Sequence, residues 1–179
     1  MSSCLAKLFR RQNSIQQRET IVFDISEESY EHAAKGERPF AVFYWVAADK
    51  DGNLALFNNE GFGLVPEKVF TSREMFLKAL KTILYGDLSI DSTAVELLEE
   101  ASYFEAYDEE MEISKRGIAF YDDPKTADWP YSLRSRPAKN LTTSNLPKDI
   151  KDYIENIGRA NCLFAETLKV NAAEHWSCI

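Results

Sequence analysis

Several kinds of chemistry are ruled down by scarcity before any motif is sought. Only two histidines occur, His32 and His175, and there is no HExxH, no zinc-type Cys/His spacing, no Walker A loop and no dinucleotide-binding glycine pattern. The three cysteines, Cys4, Cys162 and Cys178, are odd in number, far apart and without a CxxC pair, which fits free thiols in a reducing cytoplasm better than a disulfide framework. No apolar run approaches the ~20 residues that a membrane-crossing helix needs, and none of signal-peptide length follows the basic residues near the start. Seven glycines and six prolines in 179 residues are too few for a low-complexity chain. Positive charge is also short: the net charge of −8 disfavours nonspecific binding to nucleic acid or to an anionic membrane.

What is present is a globular composition, 45% hydrophobic and 12% aromatic, on a length that suits one domain. The negative charge is unevenly placed. Between Asp87 and Asp123 twelve carboxylates stand against Lys115 and Arg116, a balance of 2 − 12 = −10, so the rest of the chain is slightly basic. A 3.6-residue period over Ser92 to Glu112 puts Ala94, Leu97, Leu98, Ala101 and Phe104 on one face of a helix, with Glu96, Glu99, Glu100, Tyr103 and Tyr107 roughly opposite. Asp108, Glu109 and Glu110 follow directly. Glu96, Glu99, Glu100, Tyr103, Tyr107, Asp108, Glu109 and Glu110 are therefore the candidate partner-binding residues: acids to attract a basic protein and rings to anchor it. The competing explanation is an ordinary solvated helix face.

In chain order, residues 1–19 form a basic arm and Thr20–Ile25 reads as a strand. A short helix spans Glu27–Lys35 and stops at Gly36. Phe40–Ala48 has no charge in nine residues, which predicts a strand in the middle of a sheet with both faces covered. Asp51-Gly52 turns it into a hairpin with Asn53–Phe57. Asp49, Asp51, Asn53 and Glu60 mimic calcium-loop positions 1, 3, 5 and 12, but Leu54 occupies the sixth place where such a loop needs glycine, so the hairpin reading is preferred. A capping box at Thr71/Glu74 opens a helix with Phe76, Ala79, Leu80, Ile83 and Leu84 as its core stripe. Beyond the acidic segment, Gly117–Tyr121 reads as a strand and Tyr131–Arg136 as an exposed edge strand. Pro147 starts a last helix with Ile150, Tyr153, Ile154 and Ile157 buried, and Leu163–Val170 reads as a final strand. The expectation is one α+β domain over residues 20–170, a mainly antiparallel sheet with three to four helices packed on it, and a weakly held tail at 171–179.

The strand Phe40–Ala48, the DKDGNLALF hairpin, Gly63-Leu64-Val65-Pro66 before a helix, and Tyr131-Ser132-Leu133-Arg134 to Pro137 followed by Leu146-Pro147 together resemble bacterial immunity-type proteins that accompany polymorphic toxins. That resemblance implies a small cytoplasmic inhibitor that blocks a cognate toxin domain, with no catalytic residues to transfer. The expectation is thus a non-enzymatic inhibitor without cofactor or metal that binds a partner with a basic surface. The alternatives are a phage or plasmid anti-defence protein mimicking nucleic-acid charge, and a small enzyme whose carboxylates, such as Glu99, Glu100 or Asp108, form an unrecognised site.

Overall fold

The computed structural model describes residues 25–36, 42–88, 90, 95–98, 107–122, 130–164 and 166–176, with residues 107–110 as backbone only. The basic arm, most of the expected first strand, and the candidates Glu99, Glu100 and Tyr103 lie outside the described residues.

The fold is α+β, built on a six-stranded, mostly antiparallel sheet. β1 (Tyr44–Ala48) pairs antiparallel with β2 (Leu54–Asn58) across the expected hairpin, and β2 pairs parallel with β4 (Ala119–Asp122). β4 pairs antiparallel with β5 (Tyr131–Pro137), whose far edge is shared by two short strands. β3 (Val95–Leu97) covers residues 135–137 of that edge, and β6 (Lys169–Val170) covers residues 131–132. β5 is therefore internal, not the exposed edge its alternating charges suggest. Its alternation is real, since Tyr131, Leu133, Ser135 and Pro137 are buried between less buried neighbours, but the pairing partners are too short to be recognised in sequence.

β1 is likewise displaced from expectation: it ends the sheet instead of lying in its middle. It is charge-free because its surroundings are dry. Helices α2 (Arg73–Tyr85) and α4 (Lys148–Ile157) pack on it and on each other, and its last carbonyl, Ala48 O, accepts from Ala160 N at 2.9 Å. The stripes read from α2 and α4 are the buried ones: Phe76, Ala79, Leu80 and Ile83 on the first, and Ile150, Tyr153, Ile154 and Ile157 on the second. The cap of α2 is shifted by one residue from expectation, Ser72 accepting from Met75 N at 3.2 Å while Thr71 closes a 3-10 turn. α1 (Glu27–Ala34) stands where expected, capped by Ser26.

The register aligns three rings across three strands. Trp45 lies beside Phe57 and Phe57 beside Tyr121, with ring centroids 4.4 and 5.0 Å apart in near-parallel stacks. Tyr131, Phe164 and Trp176 close on this ladder edge-on, which is the favoured geometry for aromatic quadrupoles. Two corrections follow. Of the expected strand Leu163–Val170, only Lys169–Val170 is in the sheet among the described residues, and Phe164 is drawn into the ladder. Residues 171–176 are not a loose tail: α5 (Ala172–His175) ends at Trp176, which is 3% exposed and donates Nε1 to Gly158 O at 3.1 Å. With α5 and α3 (Tyr107–Lys115), the described residues hold five α-helices where three to four were expected.

Candidate functional site

The acid-rich segment is not one helix. Residues 95–97 are extended and hydrogen-bonded into the sheet, and the helix described in this segment is Tyr107–Lys115. The stripe combining Glu96, Glu100, Tyr103 and Tyr107 on a single helical face is therefore corrected: β5 offers an unpaired edge, and pairing with it outweighs the local helical period. Glu96 belongs to the outermost strand at that end, and Tyr107, Asp108, Glu109 and Glu110 form the first turn of α3, which packs against β3, β4 and β5. Both places lie at the same end of the sheet.

Glu96 is 56% exposed on its side chain and ion-paired with Arg136 at 2.8 Å. The guanidinium hydrogen bond holds the Glu96 carboxyl below the usual carboxylate range and raises Arg136 in turn. Glu112 pairs with Lys115 at 2.9 Å. The segment is tied inward by Ser114, whose Oγ donates to Ile118 O at 3.0 Å and lies 2.8 Å from Ser135 Oγ. It is tied sideways by Arg116, which donates Nε to Ile83 O at 3.0 Å and Nη2 to Gly86 O, capping the carboxyl end of α2.

Among the described residues, Asp49, Tyr121 and Cys162 come nearest to a reactive constellation. Each is committed to structure. Asp49 is fully buried, and its Oδ1 accepts from Asp51 N (3.0 Å) and Asn53 N (2.8 Å). Its Oδ2 accepts from Asn53 Nδ2 (2.9 Å) and Phe164 N (3.1 Å). Four N–H donors thus occupy the carboxylate, and Gly52 at φ 85° supplies the left-handed turn residue, so the calcium-like spacing is a hairpin turn. The Tyr121 hydroxyl lies 2.9 and 2.6 Å from the carbonyl oxygens of Phe164 and Thr167, and burial raises its pKa strongly. Burial also pushes the Cys162 thiol up, away from the thiolate that nucleophilic or metal chemistry requires. His175 sits on α5 with Nδ1 2.8 Å from Asn171 O, and His32 closes α1. No group of three or more metal-ligating side chains occurs among the described residues.

One structured feature lies outside the sequence reading. Asn59-Glu60-Gly61 follows β2, and buried Asn59 ties this loop to the residue before β1: its Oδ1 accepts from Phe43 N (2.8 Å) and Gly61 N (3.2 Å), and its carbonyl from Phe62 N (2.9 Å) and Gly63 N (2.8 Å). Paired asparagines before glycine are a turn signal, but nothing in composition tells that the turn is sealed.

Compared with known proteins, the chain matches no family model, no curated protein and no solved structure.

Proposed function

We propose that this chain is a non-enzymatic cytoplasmic inhibitor of the immunity type, which blocks a protein partner bearing a basic surface through its acid-rich segment. The contact surface is drawn here from β3, the residues leading out of it and the start of α3, in place of a single helix. One observation carries the reading: Glu96, on the terminal strand, keeps an exposed carboxylate ionised beside Arg136 within the acid-rich stretch Asp87–Asp123. Charge so placed accelerates encounter with a cationic cleft, while tyrosines slow dissociation. The N–H donors that fill the Asp49 carboxylate, the carbonyl partners of the Tyr121 hydroxyl and the burial of the Cys162 thiol support a scaffold role for the described core.

The test is titration with candidate basic toxin-type domains, following association rate against salt. Glu99→Lys, Glu100→Lys and Asp108→Lys together should slow association at least ~10-fold at low salt and flatten its salt dependence, while Glu28→Lys on α1 should leave both intact. Equal rates and equal salt slopes for the triple variant and the parent would exclude the segment as the binding site.

A further inference from the structure

The outer side of β5 is served by two collinear pieces instead of one strand, and the cause is a bulge. The β4/β5 register slips between Phe120 and Tyr121, pairing them with Ser135 and Leu133 and leaving Arg134 as the extra residue. Leu133 and Arg134 consequently both turn outward: Leu133 N donates to Leu168 O at 2.8 Å, and Arg134 O accepts from Leu98 N at 3.1 Å. β3 therefore ends where β6 begins, and the two form one composite edge at this end of the sheet.

The same bonds set the phase of that edge. Leu98 bonds to Arg134, so Glu96 and Arg136, two residues along, are likewise a hydrogen-bonded pair. Val95 and Leu97 occupy the alternate positions and turn their N–H and C=O groups away from β5, which suits Pro137 opposite Val95, a residue with no N–H to give. Among the described residues no strand lies beyond them. Such a row of backbone groups is a template for an added strand. Its side chains select the occupant. Glu96, 56% exposed on its side chain, stands within the acid-rich stretch Asp87–Asp123, so a cation is favoured across from it. Leu168, 59% exposed, stands at the junction with β6 and favours an apolar residue there. A second copy of this chain does not suit, because bonding Val95 to Leu97 of the copy in antiparallel fashion sets Glu96 directly opposite Glu96, like charge against like.

We propose that the composite β3/β6 edge receives an extended, lysine- or arginine-bearing segment of the protein partner as a further antiparallel strand. This rests on the protein-binding reading above and names how the partner is held: the backbone of Val95 and Leu97 supplies the bonds, and Glu96, shared with Arg136, selects the charge. The probe is a short labelled peptide of alternating lysine and valine, titrated against the full chain. Beside it run the same peptide N-methylated on its valines, the same N-methylated on its lysines, and one with glutamate in place of lysine. Lysine across from Glu96 places the valine amides against β3. The lysine-methylated peptide should therefore keep its affinity, the valine-methylated one should lose about tenfold or more, and the glutamate version should not bind. With the parent peptide bound, the Val95 and Leu97 amides should exchange more slowly, and Glu96→Gln should weaken binding up to about fivefold. Equal affinity for the two methylated peptides without protection of Val95 and Leu97, or no binding of any peptide, would overturn the edge and leave the proposed function standing. Glutamate and lysine peptides binding equally well would overturn both. A chain that sediments as a dimer with these amides already protected would give the edge to a second copy, and binding that needs Arg10→Glu and Arg11→Glu would give it to the chain's own basic arm; either result overturns the proposal.

Discussion

Glu96 and Arg136 stand directly opposite each other across β3 and β5, and the guanidinium delivers Nε and Nη2 to the same carboxylate oxygen, each at 2.8 Å. The pair ties the acidic stretch to β5, so part of the segment's charge is answered within the chain. A partner that engages Glu96 must share or displace Arg136.

That pairing sets a pH dependence. The folded Glu96 carboxyl titrates below its ordinary value near 4.5, as do Asp149 beside Lys78 and Glu155 beside Arg159. A group depressed in the folded state adds stability that is complete above its unfolded pKa and is lost as pH falls through the folded one. Acidification below about pH 4 should therefore weaken the fold, with no corresponding loss between pH 6 and 8 from these groups. Carboxyl-carbon NMR titration should place Glu96 below exposed glutamates, and Arg136→Met should return it to them. A Glu96 that titrates alike in both proteins would contradict the pairing in solution.

Asp49 should be the most sensitive polar position. Asp49→Ala removes the acceptor of four N–H donors, that of Phe164 fully buried, and should cost about 2–3 kcal/mol, read as a lower urea midpoint with unchanged slope. Asp49→Asn keeps one acceptor but aims an amide at the donors on the Oδ2 side, so it should recover only part of the loss. Added calcium should leave the parent's unfolding midpoint where it is, because both oxygens are occupied.

How much of this was legible depended on whether the deciding interaction was local. The stripes of α2 and α4, the Asp51-Gly52 hairpin and the glycine stop at Gly36 (φ 72°) are encoded within a few residues and are readable. Glu96 was misplaced because a helical period is a local signal, whereas the edge of β5 that captures residues 95–97 lies 40 positions away. The expectation of a weakly held tail at 171–179 misses Trp176 for the same reason: its partners Trp45, Phe57 and Phe164 come from elsewhere in the chain. Of the candidate site, the acid density was visible and its division between a strand and a helix was not. The acids of the calcium-like spacing were visible too, but not the Phe164 N–H that completes the coordination of Asp49.

Trp176→Ala should therefore behave as a core deletion. The indole is 3% exposed, sits 5.4 Å from Trp45 and 5.9 Å from Phe57 by ring centroid, and donates to Gly158 O. Its loss should remove about 3–5 kcal/mol, with near-ultraviolet circular dichroism showing the ladder loosened. A midpoint change of the size seen for a surface residue would mean that the C-terminal helix is dispensable.

Arg116 offers a way to loosen the acid-rich segment without touching its acids. Its half-buried guanidinium, driven below its usual pKa by desolvation, spans Ile83 O and Gly86 O, and so clamps the end of α2 to the turn that leaves α3. Arg116→Met preserves much of the apolar stem but removes both donors, and should cost about 1–2 kcal/mol. Arg116→Lys should recover little, since one ammonium does not reproduce the two-pronged fork. Hydrogen exchange separates the clamp from simple packing: the Gly86 amide, bonded to Thr82 O at 2.9 Å, should speed up in Arg116→Met by more than the global loss of stability accounts for, while amides in the middle of α2 change only in proportion to that loss. If Gly86 exchange changes only in proportion to the global loss, the guanidinium contributes bulk stability and does not pin the helix end.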